Sequence, residues 1–219
     1  MKFIPENNIS LSGEIELSSD KSLSIRAVLF SAIAHGISKI TIRSPGEDSN
    51  TALKCIQKLG IQVLKTKDSY QIFGLGGFPE NKKKLFTISC DNSGTCLRLI
   101  SPLIAGSNNT VKIIGDASLS SRPVRIQFLK NFLMNISAKK NNFLPVVIKG
   151  NPNTIGANIK IKIPSAQISS AAILAGLSSY SLTTIECPNN IRDHTQRLLK
   201  FLKYPIQIQN KKNKQIIKV

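Results

Sequence analysis

The sequence predicts an α/β chain of three βαβαββ repeats packed around buried helices, and three observations predict it. Gly36, Gly106 and Gly176 stand 70 residues apart (36 to 106, 106 to 176), closing the apolar runs Ala34-His35-Gly36, Ile104-Ala105-Gly106 and Leu174-Ala175-Gly176. Each glycine is followed by a strand-like run, Lys39–Ile42, Val111–Ile114 and Leu182–Ile185, and then by a polar turn and an amphipathic stretch. A further pair of apolar runs then closes each unit before the pattern restarts. Self-similarity of this kind marks a repeat architecture, in which each unit buries its apolar face against its neighbours.

Taken in order, residues 1–19 read as an extended lead-in, with Ile9 to Leu17 alternating apolar and polar as a strand does. The first helix of each unit is apolar nearly all round (Ala27-Val28-Leu29-Phe30; Ala171-Ala172-Ile173-Leu174), which predicts burial at the centre. Its closing glycine is the expected terminator, because glycine enters the left-handed region at little cost. Second, amphipathic helices are predicted at Ser49–Leu59, Pro123–Leu133 and Asp193–Leu202. Val124, Phe128 and Phe132 form an inner stripe, as do Leu198, Leu199 and Leu202, while the stripe of Leu53, Ile56 and Leu59 is less regular. The closing strand pairs are Ile61–Val63 with Tyr70–Ile72, Ile136 with Val146–Ile148, and Ile206–Ile208 with Gln215–Ile217. The repeats therefore run at about 20–84, 85–150 and 157–219.

Asp91-Asn92-Ser93-Gly94-Thr95-Cys96-Leu97-Arg98 stands where a strand meets a buried helix. Unpaired N–H groups at such a junction, together with the positive end of the helix, favour an anion, and Gly94 allows close approach. An ordinary N-capped helix start explains Asn92 and Ser93 equally well. Recurrence shifts the balance, because Asp20-Lys21-Ser22 and Ser165-Ala166-Gln167 open the other two buried helices. Three packed helices would gather these starts, with Lys21 and Arg26, into a face for a multiply anionic ligand. Asp48, Asp91, Asp116 and Asp193 sit at turns or helix starts, where capping accounts for them. His35 reads as structural and His194 as part of a helix start.

The composition bounds the function. A net charge of +18 suits anionic partners, nucleic acid among them, although a lysine-, isoleucine- and asparagine-rich background accounts for it as well. Aromatic residues make up 5% and are not interleaved with the basic ones, so no stacking platform for single strands is evident. Cys55, Cys90, Cys96 and Cys187 form no CxxC pair and have no histidine cluster nearby, which argues against zinc and redox motifs and for reduced structural thiols. The first residues lead into no apolar signal segment, and the apolar stretch from Ala27 to Ala34 is too short to span a membrane. A soluble, cytoplasmic protein without a membrane partner is expected.

Five motifs lie in order along the chain: Asp20-Lys21-Ser22-Leu23-Ser24-Ile25-Arg26-Ala27; Asn92-Ser93-Gly94-Thr95; Gly115-Asp116-Ala117-Ser118-Leu119-Ser120-Ser121-Arg122-Pro123; Ser165-Ala166-Gln167; and Arg192-Asp193-His194-Thr195. In this register the chain resembles the 5-enolpyruvylshikimate-3-phosphate synthases over its whole length. The sister transferases acting on UDP-N-acetylglucosamine share the fold, but the Lys-Ser…Arg, Ser-Ala-Gln and Arg-Asp-His-Thr elements favour the shikimate enzyme. The resemblance implies one domain of the enolpyruvyl transferase fold. It implies transfer of the carboxyvinyl group of phosphoenolpyruvate to shikimate 3-phosphate, with release of phosphate, on the route to chorismate, with no metal or organic cofactor. It assigns Lys21 to both substrates, Ser22 and Arg26 to shikimate 3-phosphate, and Gly94 and Arg122 to phosphoenolpyruvate. Ser165 falls on the shikimate phosphate, Gln167 on both ligands, and Asn92 on the same binding turn. Ordinary surface charge is the alternative for Lys21, Arg26 and Arg122, and capping or a first-turn polar position for Asn92, Ser165 and Gln167.

Three departures stand out. Ser18-Ser19 replace the family's Pro-Gly, which predicts a looser turn; Ser169 stands where relatives often carry lysine; and Ile191 stands where a phosphate-binding serine is common. The family enzyme is also about twice as long. Its first short segment and C-terminal half form one domain, which carries the proton-transferring carboxylates. By that resemblance 1–19 belongs to the other domain and 20–219 forms the three-repeat domain. The chain is then expected to bind shikimate 3-phosphate weakly and to lack turnover alone, with no catalytic residue of its own, working with a separate chain or surviving as a truncated form. The alternative is a non-catalytic basic domain that binds nucleic acid or another polyanion.

Overall fold

The computed structural model describes residues 14, 17–67, 69–79, 85–139 and 142–219. The chain order is α1 (Lys21–Ile33), β1 (His35–Thr41), α2 (Glu47–Lys58), β2 (Gln62–Lys65), β3 (Ser69–Leu75), β4 (Phe86–Ser89), α3 (Gly94–Ala105), β5 (Thr110–Ile114) and α4 (Ala117–Ser120). A 3-10 helix (Gln127–Phe132) follows, then β6 (Asn135–Lys139), β7 (Phe143–Lys149), β8 (Asn158–Lys160), α5 (Ala166–Leu177), β9 (Thr184–Pro188), α6 (His194–Phe201), β10 (Gln207–Lys211) and β11 (Lys214–Lys218).

The three sheets share one topology. The second has the order β4-β5-β7-β6 and the third β8-β9-β11-β10, each with a parallel first pair and antiparallel partners after it. The first sheet, β1-β3-β2, repeats the last three places of that order. The strand expected across Ile9–Leu17 falls, apart from residues 14 and 17, outside the described residues. Alternation sets the inner faces: Val111 and Ile113 of β5 are fully buried, as are Val146 and Ile148 of β7, while Lys112 faces outward.

Three helices fill the space between the sheets. Ile25, Val28 and Leu29 of α1, Leu99, Ile100, Leu103 and Ile104 of α3, and Ala172, Ile173, Leu174 and Ala175 of α5 have no solvent exposure. They belong to one continuous apolar core that extends to every sheet. A helix apolar on all sides can be stable only in such a place.

Several expectations change in detail. The amphipathic helix expected over Pro123–Leu133 is absent. Helix formation moves upstream to α4, where Asp116 Oδ1 accepts from Leu119 N at 2.6 Å. Arg125 then takes a left-handed φ of 57°, which breaks any regular helix, and only the 3-10 turn follows. The stripe is partly inward: Val124 and Phe132 are buried and Phe128 is half-buried, while Leu129, which the stripe does not include, is fully buried.

The evenly spaced glycines are only partly terminators. Gly36 lies within β1 at φ 83°, whereas Gly106 has an ordinary φ of −85° and Gly176 lies inside α5. Close packing explains the latter two. A Cβ on Gly106 would stand 2.6 Å from Ser178 Cβ, and one on Gly176 would stand 2.6 Å from Val219 Cγ1.

A stricter requirement holds at Gly150, where an added Cβ would overlap the backbone oxygens of Ser107 and Ile104 at the end of α3. Gly74 repeats this against Ser31 and Ala34 at the end of α1. Backbone cannot yield as a side chain does, so Gly150→Ala is expected to cost about 2–3 kcal/mol. Thermal melting should fall by roughly 5–10 °C; an unchanged transition would show that the junction is loose.

Ser19, expected to loosen its turn, ties it instead: its N–H donates to Arg43 O at 3.1 Å and its Oγ accepts from Arg43 N at 2.9 Å. The four cysteines are all buried, but they are not unrelated. Cys55, Cys90 and Cys96 form one cluster, and Cys187 lies apart beside Ser169. Among the described residues no helix is long and apolar enough to cross a membrane.

Candidate substrate site

One cleft of about 420 Å³ receives residues from the first turns of four helices. Ser22 comes from α1, Thr95 from α3, Ala166 and Gln167 from α5, and His194 from α6, with Arg26, Ser165, Asn190, Ile191 and Arg192 around them. Each helix start carries unpaired N–H groups and a positive potential, so their convergence favours an anion. No carboxylate is among the lining residues.

Arg26 is the buried cation of this cleft. It is 3% exposed, and its Nε donates to Thr195 Oγ1 at 2.8 Å, Nη1 to Ser22 O at 2.9 Å and Nη2 to Ser170 Oγ at 2.7 Å. All three acceptors are neutral. Burial pushes the guanidinium down to about 10, against a weaker upward pull from Asp20. A desolvated cation held only by neutral groups gains from an anion arriving beside it.

The second half of the site lies around Arg98. Its Nη1 donates to Gln167 Oε1 at 2.7 Å and to Gly94 O at 3.1 Å, and its Nη2 donates to Pro123 O at 3.0 Å. Gln167 in turn donates to Thr95 Oγ1 at 3.0 Å, which fixes the amide between α3 and α5. Burial first, then the nearby Arg125 and Arg122, hold the Arg98 guanidinium below its ordinary value. Among the described residues none of these three arginines has a carboxylate partner. Arg122 donates to Asn92 Oδ1 at 2.7 Å and to Ser118 Oγ, so it is braced across the turn that carries Gly94.

Asp91 builds that turn. It takes a φ of 45°, and its carboxylate accepts from Ser89 Oγ at 2.7 Å and Thr51 Oγ1 at 2.9 Å. The Ser89 contact, more than any other, holds its carboxyl below the usual range. The residue that looked like a cap is thus a brace, and the cap is Ser93, whose Oγ accepts from Cys96 N at 3.2 Å.

Ser22, Arg26, Ser165 and Gln167 therefore share the cleft, and Gly94, Asn92 and Arg122 adjoin it through Arg98. Lys21 stands apart: its ammonium is solvent-exposed and pairs with Asp48 at 3.5 Å, beside an acidic hollow lined by Glu47, Asp48, Asp91, Asn92 and Asp116. Ser165 both caps α5, accepting from Ile168 N at 3.4 Å, and lines the cleft. Ile191 lines the cleft too, whereas Ser169 points into the core beside Cys187. Sequence reasoning does not single out Arg98, Thr195 or Ser170 as site residues. Helical spacing marks the first, since Arg98 lies one turn after Gly94 on the same face.

A family model described as EPSP synthase (3-phosphoshikimate 1-carboxyvinyltransferase) matches residues 5–219. The chain belongs to this family. Relatives in the EPSP synthase family include the 3-phosphoshikimate 1-carboxyvinyltransferase of Clostridium tetani, 37% identical over 198 residues, which are 90% of this chain and 45% of the relative. That of Ruthia magnifica is 35% identical over 212 residues, covering 96% and 48%. Among solved structures, EPSP synthase from Acinetobacter baumannii superposes with a TM-score of 0.82 at 30% identity, over 94% of this chain and 47% of that one. The enolpyruvyl transferase NikO from Streptomyces tendae, at 12% identity and a TM-score of 0.64 over 94% and 48%, shares the fold. The chain thus spans about half the length of the relatives it matches.

Proposed function

We propose that this chain is the ligand-gathering lobe of a cytoplasmic 3-phosphoshikimate 1-carboxyvinyltransferase. The enzyme moves the carboxyvinyl group of phosphoenolpyruvate onto shikimate 3-phosphate and releases phosphate, in the route to chorismate and the aromatic amino acids. The observation that carries this reading is the convergence of four helix starts on a cleft whose buried Arg26 has only neutral partners. In this reading Ser22, Arg26 and Ser165 take shikimate 3-phosphate. Gly94 and Arg122, with Asn92 bracing the turn, take phosphoenolpyruvate, and Gln167 lies between the two ligands; Lys21 reaches both only by leaving its ion pair with Asp48 outside the cleft. Arg122 suits a carboxylate or phosphate through its planar fork.

Proton transfer requires a positioned acid and base, and the cleft is lined by no carboxylate. We therefore assign those groups to a second lobe, in the same polypeptide or in a separate chain, and the segment 1–19 to that lobe. Residues 20–219 then form the three-repeat domain.

Calorimetric titration of the 219-residue chain with shikimate 3-phosphate tests the reading. The expected result is weak stoichiometric binding, and no phosphate release when phosphoenolpyruvate is added. Absence of any binding would overturn the assignment of the cleft. Sustained phosphate release would overturn the assignment of the chemistry to another lobe. The net charge of +18 keeps a polyanion-binding domain as the competing outcome. RNA affinity that collapses with salt, without response to shikimate 3-phosphate, would establish that instead.

A further inference from the structure

Three thiols that the chain separates by 35 and 6 residues meet in the core behind the Asp91–Gly94 turn. Cys55 comes from α2, Cys90 follows β4, and Cys96 lies in the first turn of α3. All three have no solvent exposure, and their sulfurs lie within 4.8 Å of one another, with Cys55 and Cys96 at 3.8 Å. We propose that Cys55, Cys90 and Cys96 form a trigonal three-thiolate site for a cuprous ion.

Geometry carries the assignment. Three sulfurs about 2.3 Å from a common ion in one plane stand about 4 Å apart; here one pair stands at 3.8 Å and all three lie within 4.8 Å of one another. Structural zinc takes four ligands, and among the described residues no histidine, aspartate, glutamate or further cysteine joins the group. Thiolate-only coordination with an open fourth place selects a soft ion, and among the first-row metals cuprous copper suits three thiolates best.

On binding, each coordinating thiol gives its proton to solvent, so affinity rises with pH. Because Cys90 precedes Asp91 and Cys96 follows Gly94, the ion ties together both ends of the turn that carries Asn92.

The test is anaerobic titration of the reduced chain with cuprous ion presented as a bicinchoninate complex. One ion per chain is expected to leave the chelator, with an ultraviolet thiolate-to-copper band. At free ion about 100 times the dissociation constant, melting should rise by roughly 5–10 °C. Cys55→Ala and Cys96→Ala should each weaken binding about 100-fold or more, while Cys187→Ala binds as the parent does. The unmodified chain alone decides the matter if a variant fails to fold. No uptake from the chelator overturns the proposal, as does uptake unaffected by both variants. Retention of zinc instead of copper, or loss of two hydrogens to a disulfide that takes no ion, overturns it too. None of these readouts depends on the transferase reading.

Discussion

Arg26→Met is expected to reduce shikimate 3-phosphate binding by roughly 100-fold or more while leaving the fold at about its parental stability. A charge-assisted contact between guanidinium and phosphate is worth about 3 kcal/mol, which sets the first figure. The second follows from what Arg26 does in the unliganded chain. Burial holds its pKa at about 10, well below the ordinary guanidinium value, so the desolvated charge opposes folding by about 3 kcal/mol. The sign is that of a base with a depressed pKa. The penalty is present in full below about pH 10 and is relieved only as pH rises from there toward the ordinary guanidinium value. Three hydrogen bonds to neutral acceptors return about 1 kcal/mol each, and the two terms nearly cancel. Methionine fills similar volume, and the hydroxyls it leaves behind keep partners. Thr195 donates to Ser170 Oγ at 2.7 Å, and Ser170 donates to Ala166 O at 2.7 Å. Urea unfolding and calorimetry separate the two effects. Arg26→Lys should fall between parent and methionine in binding, because it keeps the charge and loses the fork. Binding equal to the parent's, or a stability loss beyond about 3 kcal/mol, would make Arg26 a structural residue.

The fold was legible because its signals are local and repeated. The apolar runs around Val28, Leu103 and Ile173 identify buried helices in any environment, and the recurring closing runs mark the pairs β2–β3, β6–β7 and β10–β11. The segment after Asp116 was not legible in the same way. Val124, Phe128 and Phe132 are spaced for a helix, but the cap at Asp116 and the left-handed Arg125 decide the backbone there, and side-chain spacing carries neither fact. The site divides along the same line. Ser22, Ser165 and Gln167 stand at helix starts that the sequence marks, whereas two of the three neutral partners of Arg26, Ser170 and Thr195, come from α5 and α6, far along the chain. The cysteine cluster is the clearest case. No spacing rule relates Cys55 to Cys90, because it is the packing of α2 against α3 and β4 that brings them together.

Arg98→Met is expected to disable both halves of the site at once, although Arg98 touches neither ligand in the proposed arrangement. Its three bonds hold Gln167 Oε1, Gly94 O and Pro123 O together, so one side chain fixes the amide of α5, the binding turn and the start of the segment after Arg122. Without it the two carbonyls lose a charged donor and Gln167 keeps only Thr95, its partner at 3.0 Å. A stability loss of about 2 kcal/mol should follow, seen as a melting point lower by roughly 4–8 °C. Shikimate 3-phosphate affinity should fall about 10-fold through the loosened Gln167, and that for phosphoenolpyruvate further, since the Gly94 turn and Arg122 lose their common support. A double-mutant cycle distinguishes positioning from a separate electrostatic role. If Arg98 acts on shikimate 3-phosphate through Gln167, then Arg98→Met combined with Gln167→Ala binds no worse than Gln167→Ala alone. Independent, additive losses would mean instead that Arg98 acts on the anion through its own charge. In that case Arg98, Arg122 and Arg125 would act together as one electropositive patch, and binding would weaken steeply with added salt.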